Sequence, residues 1–273
     1  MLGIIFIGEG ITLKLKNKSL LNEILKNPKN LFTFISFSTF GGILLEGALK
    51  WFGKLWIYPY FNVSLYLAVF ITGFAMYWLM VIESYLAIKM IIDYLHKGKQ
   101  IIRRPFVFEA RLYKFLGIFG LVITILTLIF IFIDYQNSNL VLFSKRDLIG
   151  ITANYKVNVP YFLLLFTGLW FILEFIEYSR KKTSLLKDII HSYFSPIGAI
   201  LIGSFILAVI METENVPLGY WIYTNVPLAE IKFIGLPILL FIGWPLHYIL
   251  FLSLFRVLTQ KESDGIWEGD LIK

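Results

Sequence analysis

Two glutamates at the edges of long apolar runs are the residues best placed to do chemistry in this chain. Glu46 lies near the end of the apolar run 31–49, and Glu212 directly follows the run 194–211, with Glu214 two residues further on. Ionisable groups at the edge of such runs are costly, and they therefore point to a function. If Glu46 and Glu212 approach each other, one of them becomes a neutral acid that donates a proton beside an ionised partner.

The same aromatic pattern follows both glutamates. Each is followed by a W-I-Y triplet, after ten residues in the first copy and nine in the second, and then by another tryptophan after 22 or 23 residues. The copies are Glu46, Trp56-Ile57-Tyr58 and Trp78, and Glu212, Trp221-Ile222-Tyr223 and Trp244. We predict a duplicated helix–loop–helix unit with the same orientation in both copies. The alternative is coincidence, because tryptophan and tyrosine are common at membrane interfaces.

Other ionisable residues in apolar surroundings are weaker candidates. His247 lies beside Pro245 in the last apolar run, where a lone histidine is either a packing residue or part of a site. Glu174 and Glu177 share a helix face and have Arg180 and Lys181 as candidate partners. The remaining acidic candidates are Glu83, Asp93 and Glu230. Each glutamate, including Glu46 and Glu212, could instead be a solvated cap in the headgroup layer.

The elements that position these residues are predicted to be membrane-spanning helices. Hydrophobic residues make up 58% of the 273 residues and charged residues only 16%. Each long run is apolar on all sides, which favours helices over β-barrel strands. We predict an all-α, polytopic transmembrane bundle with spans at about 31–49, 60–82, 115–133, 161–178, 194–211 and 233–255. Residues 1–30 are predicted to form a cytoplasmic amphipathic segment, and residues 259–273 a cytoplasmic tail.

Basic residues predict the orientation of these spans. Lysines and arginines cluster in residues 14–29, 97–114, 180–187 and 256–273, which all fall on one side of a six-span protein. The positive-inside rule makes that side cytoplasmic, so both termini are expected there, in a cell membrane and next to anionic lipid headgroups. The loop 134–160 is long, and its role stays open, as does the oligomeric state.

Composition excludes several classes of function. The net charge of +7 comes from residues that flank apolar runs, so nucleic acid is not the expected partner. The absence of cysteine excludes disulfides and thiolate chemistry. No HExxH, P-loop, GxSxG or paired-aspartate motif is present, and no metal or other cofactor is expected. An Ile- and Lys-rich, Cys-free composition also suggests a thermophilic prokaryote.

The stretch Glu212–Trp244 resembles the membrane-embedded carotenoid-modifying proteins. An acidic residue, Trp221-Ile222-Tyr223, Gly235-Leu236-Pro237 and Trp244 are similar to the carotenoid hydratase pattern, with Trp221 in place of its first tyrosine. Gly219-Tyr220-Trp221 and the segment 227–233 are similar to the membrane lycopene cyclase domain, although Ala229 replaces its first glutamate. The resemblance covers about 35 residues.

This resemblance implies proton transfer to a terminal C=C of a carotenoid or other isoprenoid lipid, followed by hydration or cyclisation. It assigns Glu46, Glu212 and Glu214 to catalysis, and it assigns Trp56, Tyr58, Trp221, Tyr223, Trp244 and His247 to the substrate. The alternative is a non-enzymatic membrane protein, such as a small carrier, a lipid-binding protein or an assembly subunit. A carrier would be expected to hold polar residues at mid-membrane depth, whereas this chain concentrates them near the two faces.

Overall fold

The protein is a helical, multi-pass integral membrane protein. The computed structural model describes residues 1–53, 55–96, 108–137, 159–180, 184–224, 226, 228 and 230–258. Six helical stretches in this part of the chain are long and apolar enough to cross a bilayer. They are Pro28–Lys50, Val63–Leu95, Glu109–Asp134, Pro160–Ser179, Ser195–Leu218 and Ile238–Val257. The all-α, six-span prediction is therefore confirmed.

The secondary structure of the described residues consists of α-helices, a π-helix and two very short pairs of strands. The helices are α1 (Leu2–Lys16), α2 (Leu20–Leu25), α3 (Pro28–Leu45), α4 (Val63–Leu95), α5 (Glu109–Asn137), α6 (Val159–Ser179), α7 (Leu185–Ile190), α8 (Ser195–Leu218) and α9 (Ile238–Leu258). A π-helix, Glu46–Phe52, continues α3 directly. The strands are β1 (Trp56–Ile57), β2 (Ile222–Tyr223), β3 (Lys232–Phe233) and β4 (Leu236–Pro237).

Several helix ends follow from local sequence. The side chain of Asn27 accepts a hydrogen bond from the Asn30 amide at 2.8 Å, and Pro28 fits the first turn of α3. Asn62 caps α4 in the same way, through the Leu65 amide at 2.8 Å. Helix α8 ends at Gly219, whose positive φ of 61° allows its amide to bond back to the Asn215 carbonyl. These caps fix where each span meets the loop that carries site residues.

Four of the spanning helices contact one another in a ring. Helix α3 packs on α4 and α8 packs on α9, while α4 packs closely on α8 and α9 touches α3 only slightly. Exchanging α3 with α8 and α4 with α9 keeps the same pairs of neighbours, although the last two contacts differ in extent. The exchanged pairs are the two copies of the repeat seen in the sequence. The side chains of Trp78, Tyr248, Phe251 and Phe255 lie in the core between these helices.

Helices α5 and α6 form an antiparallel hairpin outside this ring, with α6 packed on α9. Glycines let the two backbones approach closely. A Cβ atom built on Gly120 would lie 2.7 Å from the Gly168 carbonyl oxygen, and one on Gly117 would lie 2.7 Å from the Phe175 ring. A larger residue at either position would push the hairpin apart.

The last span begins later than predicted. Residues 232–237 form a β3–β4 hairpin, and helix α9 starts only at Ile238. The two residues of the turn, Ile234 and Gly235, both have positive φ, at 53° and 79°, which is the backbone of a tight hairpin turn. Pro237 therefore precedes the helix, and only Pro245 lies inside it.

The N-terminal segment packs against a spanning helix. Helix α1 runs along α4, with Ile5, Gly8, Glu9 and Thr12 buried at helical spacing. Its other faces expose apolar side chains, among them Leu2, Phe6 and Ile7. Its 15 residues are too few to span a bilayer.

Some sequence predictions fall outside the described residues. They include most of the loop 134–160, the tail 259–273, and the basic residues Lys97, Lys99, Arg103, Arg104, Lys181, Lys182, Lys261 and Lys273.

Candidate functional site

The two W-I-Y triplets meet at one end of the four-helix ring and pair with each other. Strands β1 and β2 are antiparallel, with Trp56 opposite Tyr223 and Ile57 opposite Ile222. The centre of this two-stranded ribbon is therefore the pair of isoleucines, and a local two-fold axis relates the triplets. A two-fold axis along the membrane normal keeps helix directions equal and reverses segments that lie in the membrane plane. This arrangement agrees with a duplicated unit of one orientation.

The first triplet is connected to Glu46 by hydrogen bonds. The Trp56 indole Nε1–H donates to the Tyr58 hydroxyl at 3.0 Å, and Tyr58 donates to Glu46 Oε1 at 2.6 Å. Tyr66, one turn into α4, donates to Glu46 Oε2 at 2.8 Å. Glu46 is only 1% exposed, and it is the first residue of the π-helix. π-Helices are rare in proteins overall, but those that occur are often found at functional sites. Both carboxyl oxygens of Glu46 thus have a tyrosine donor.

The second triplet repeats this chain of hydrogen bonds. The Trp221 Nε1–H donates to the Tyr223 hydroxyl at 3.0 Å, and Tyr223 donates to Glu212 Oε1. Asn215 fixes the loop by accepting from the Trp221 amide at 2.9 Å and donating to the Trp221 carbonyl at 3.0 Å. Glu212 is 1% exposed, and its Oε2 atom is buried with no hydrogen-bond partner among the described residues. We call the two sets, Glu46–Tyr58–Trp56 and Glu212–Tyr223–Trp221, the first and second triads.

The tyrosine hydroxyl of each triad keeps its proton over the physiological pH range. Burial is the main cause that raises the pKa of Tyr58 well above its usual value, and the adjacent Glu46 raises it further. Burial and then Glu212 raise the pKa of Tyr223 in the same way. Each tyrosine is therefore a lasting donor to its glutamate.

Both triads line one cavity of about 520 Å³. Its walls are mainly aromatic and aliphatic, and they include all six triad residues, Trp244 and His247. Val69, Leu163 and Ile242, on α4, α6 and α9, also line it and are 39%, 46% and 56% exposed. Because these exposed side chains belong to the apolar outer surfaces of spanning helices, the cavity opens toward lipid.

The cavity wall also contains a hydrogen-bonded pair that belongs to neither triad. The Tyr77 hydroxyl and His247 Nε2 are joined by a hydrogen bond of 2.7 Å, and both residues line the cavity. Trp244 lies against this pair, with its ring centroid 5.1 Å from that of His247. Trp78, the counterpart of Trp244 in the first copy, is instead buried in the core and stacks on Phe251.

The predicted site residues converge with one exception. The structure brings Glu46, Glu212 and the six predicted substrate-binding residues together in the cavity. Glu214 is exposed and is not among the residues that line it, because it lies two positions from Glu212 and so points to another face of α8. Glu230 is also exposed and outside the cavity.

The remaining acidic candidates belong to contacts away from the cavity. Asp93 accepts from the Tyr193 hydroxyl at 2.8 Å, and Glu174 accepts from Trp170 Nε1 at 2.9 Å. Glu83 is fully buried and packs against Gly8 of α1. Glu177 is likewise fully buried. Arg180, considered as a partner of Glu174 and Glu177, donates to the Val257 carbonyl.

Sequence reasoning missed residues that complete the site. Lys50 is 1% exposed, with its Nζ atom 5.4 Å from the centroid of the Tyr58 ring and 4.7 Å from that of Tyr66. It lies four residues after Glu46, a spacing that could have indicated a pair on one helix face. The wall residues Tyr66, Phe70, Phe74 and Tyr77 follow α4 at intervals of three or four, which is a helical stripe of aromatic residues.

The fold and site together define a class of protein. This is a multi-pass membrane protein in which two W-I-Y triplets pair with each other and two buried glutamates line one lipid-facing aromatic cavity. No family model, curated protein or solved structure matches the chain. Within the described residues, no three histidine, aspartate or glutamate side chains lie close enough together to hold a metal ion.

Proposed function

We propose that the protein binds a long isoprenoid, such as a carotenoid, in its cavity and catalyses acid-dependent hydration or cyclisation of a terminal double bond. The observation that carries this proposal is the convergence of two buried glutamates, each held by a Trp–Tyr chain, in one apolar cavity that opens toward lipid. A volume of about 520 Å³ is typical of small-molecule sites. A substrate that lies in the bilayer reaches this cavity without crossing water.

The reaction begins with proton transfer from a glutamate to the substrate. The O–H bond of the carboxylic acid breaks and leaves its electrons on the carboxylate, while the π electrons of the C=C form the new C–H bond. The other alkene carbon becomes a tertiary cation. The tryptophans of the cavity, Trp56, Trp221 and Trp244, offer aromatic faces that attract this charge.

Two outcomes regenerate the acid. In hydration, a water oxygen bonds to the cation and one water proton returns to the carboxylate, so the net change is addition of water to the double bond. In cyclisation, a second C=C attacks the cation to form a ring bond, and a neighbouring C–H gives its proton to the carboxylate, so the product is an isomer. Neither route needs an oxidant or reductant.

The resemblance of Glu212–Trp244 to carotenoid-modifying proteins supports this substrate class. We also propose a cell membrane as the location, with both termini and the basic residues at the cytoplasmic face near anionic headgroups. The clustering of Lys and Arg between spans supports this orientation.

The test is expression in a lycopene-producing host, followed by chromatography and mass spectrometry of the pigments. The wild-type chain is expected to yield a product heavier by one water or an isomer of the substrate, and Glu212→Gln is expected to yield neither. Glu214→Gln, at an exposed position outside the cavity, is the matched control and is expected to behave as wild type. A pigment profile unchanged by the wild-type chain would overturn the reaction on carotenoids. Co-purification of unreacted pigment would then favour a lipid-binding protein or carrier.

A further inference from the structure

The two halves of the cavity are related by symmetry, but their charges are not. We propose that Glu46 is a permanent carboxylate neutralised by Lys50 and that Glu212 carries the proton transferred to the substrate. This assignment takes its catalytic meaning from the proposed function, but its geometry and its test do not depend on a substrate.

The surroundings of Glu46 suit an anion. Tyr58 and Tyr66 donate to its two oxygens at 2.6 and 2.8 Å, and the charge of Lys50 lies within interaction range. Lys50 is itself 1% exposed, with its ammonium group over the rings of both tyrosines. A buried ammonium group without a counter-charge is strongly destabilising, so the pair is most stable with both members charged. Lys50 is a positioning residue in this arrangement, because it acts through Glu46.

The surroundings of Glu212 suit a neutral acid. The position that corresponds to Lys50 in the second copy is Val216, an exposed apolar residue. Among the described residues, the groups that face Glu212 are Tyr223, Asn215, Trp221, Trp244 and Tyr77, and none carries a positive charge. Hydrogen bonds offset only part of the desolvation cost of a buried carboxylate here, and no cation offsets the rest, whereas a carboxylic acid does not incur that cost.

The orphan oxygen of Glu212 indicates where the proton lies. Tyr223 donates to Oε1, which leaves Oε2 as the atom that carries hydrogen. Oε2 is buried and has no protein partner in the described part of the chain, although Glu212 lines the cavity. An O–H group here has a substrate double bond as its available acceptor.

This asymmetry also orients the substrate. The reacting end of the isoprenoid lies against Glu212, Trp221 and Trp244. Glu46, as a carboxylate paired with Lys50, has no proton to give, so only the second half of the cavity can begin the reaction.

Infrared difference spectroscopy of the full-length chain in lipid vesicles tests the assignment without substrate. The wild-type minus Glu212→Gln spectrum is expected to contain the C=O stretch of a protonated carboxyl, shifted in D₂O. The wild-type minus Glu46→Gln spectrum is expected to contain only carboxylate bands. Glu214→Gln is the matched exposed control and is expected to remove carboxylate bands alone.

A second variant keeps the test decisive if Glu46→Gln does not fold. Lys50→Met is expected to gain a protonated-carboxyl band, since Glu46 then loses its counter-charge, and Lys50→Met with Glu46→Gln is expected to lack that gain. A protonated band removed by Glu46→Gln, or a carboxylate band removed by Glu212→Gln, would overturn the assignment. Either result would leave the pigment experiment free to succeed, so the failures of the two proposals are distinguishable.

Discussion

The first and second triads have the same hydrogen bonds and different surroundings. In both, a tryptophan donates to a tyrosine at 3.0 Å and the tyrosine donates to a buried glutamate. The first glutamate has a second donor, Tyr66, and a buried cation, Lys50. The second faces no cation among the described residues, and its Oε2 atom has no hydrogen-bond partner there.

Under the proposed assignment, the two copies of a repeated pattern have different roles. The repeated pattern supplies two carboxyl groups at one cavity, and Lys50 and Tyr66, which lie outside that pattern, distinguish their surroundings. The tryptophans that follow the triads diverge in the same way, because Trp78 fills the core while Trp244 lines the cavity. Variants that change one half of the cavity at a time test this difference.

The largest expected effect is on turnover in the second half. Glu212→Gln is expected to lower the rate of product formation by about 10²- to 10⁴-fold, because an amide has no proton to transfer. The measurement is the initial rate on isoprenoid substrate in vesicles, with Glu214→Gln as control. A Glu212→Gln protein with wild-type turnover would remove the acid from this half of the cavity.

The next effect is on stability in the first half. Glu46→Gln removes the counter-charge of buried Lys50 and is expected to cost about 3–5 kcal/mol of unfolding free energy. Lys50→Met added to Glu46→Gln is expected to restore most of that loss. The measurement is the midpoint of unfolding in detergent, compared with Glu212→Gln. Equal destabilisation by the two single glutamine variants would contradict the charge difference between the halves.

A smaller effect concerns the extra donor of the first half. Tyr66→Phe removes a hydrogen bond to a charged carboxylate and is expected to cost about 1.5–3 kcal/mol. Tyr60→Phe, at a position 70% exposed, is the matched control and is expected to change little. The same unfolding experiment measures both. A Tyr66→Phe variant as stable as the control would argue against an anionic Glu46.

The smallest effect should be equal in the two halves and appear at high pH. Because the pKa values of Tyr58 and Tyr223 are raised in the folded state, folding retains their protons. Their contribution to stability is present below the ordinary tyrosine pKa of about 10 and is lost progressively above it. Tyrosinate absorbance in an alkaline titration measures this. The double variant Tyr58→Phe with Tyr223→Phe is expected to reduce the absorbance change only at the highest pH values, where tyrosines with a raised pKa ionise. A smaller absorbance change at about pH 10 in the double variant would mean that these hydroxyls are accessible to water.

Much of this architecture could be predicted from sequence because a bilayer imposes simple rules. Span number follows from apolar length. The repeated W-I-Y pattern predicted a duplicated unit, but the pairing of the two triplets as strands was not predicted. The start of α9 was placed too early, because residues 233–237 are apolar enough for a span although their turn at Ile234 and Gly235 requires positive φ.

Site residues could be predicted where their position in the sequence pattern identifies them. Residues that belong to the site only because of tertiary packing could not. Glu46 and Glu212 were found because both end apolar runs. Lys50 was missed because a lysine at the end of a span is usually a solvated anchor, and only the π-helix and the tyrosine rings keep it buried. Glu214 was included for its proximity in sequence, although the helix turns it away from the cavity.

A single cavity with two glutamates requires that the two triplets meet, and the cysteine-free sequence allows this contact to be tested. The protein contains no cysteine, so Ile57→Cys with Ile222→Cys introduces the only two thiols. These positions are directly opposite in the antiparallel ribbon, where Cβ atoms lie within about 5.5 Å and a disulfide needs little adjustment.

Mild oxidation in membranes is expected to close this disulfide and to protect both thiols from a mass-tagging alkylating reagent until they are reduced. Ile57→Cys with Glu214→Cys, which places the second thiol on the exposed face of α8, is expected to remain fully alkylated. Full alkylation of the Ile57→Cys, Ile222→Cys protein after oxidation would separate the two triads and contradict a single cavity with two glutamates.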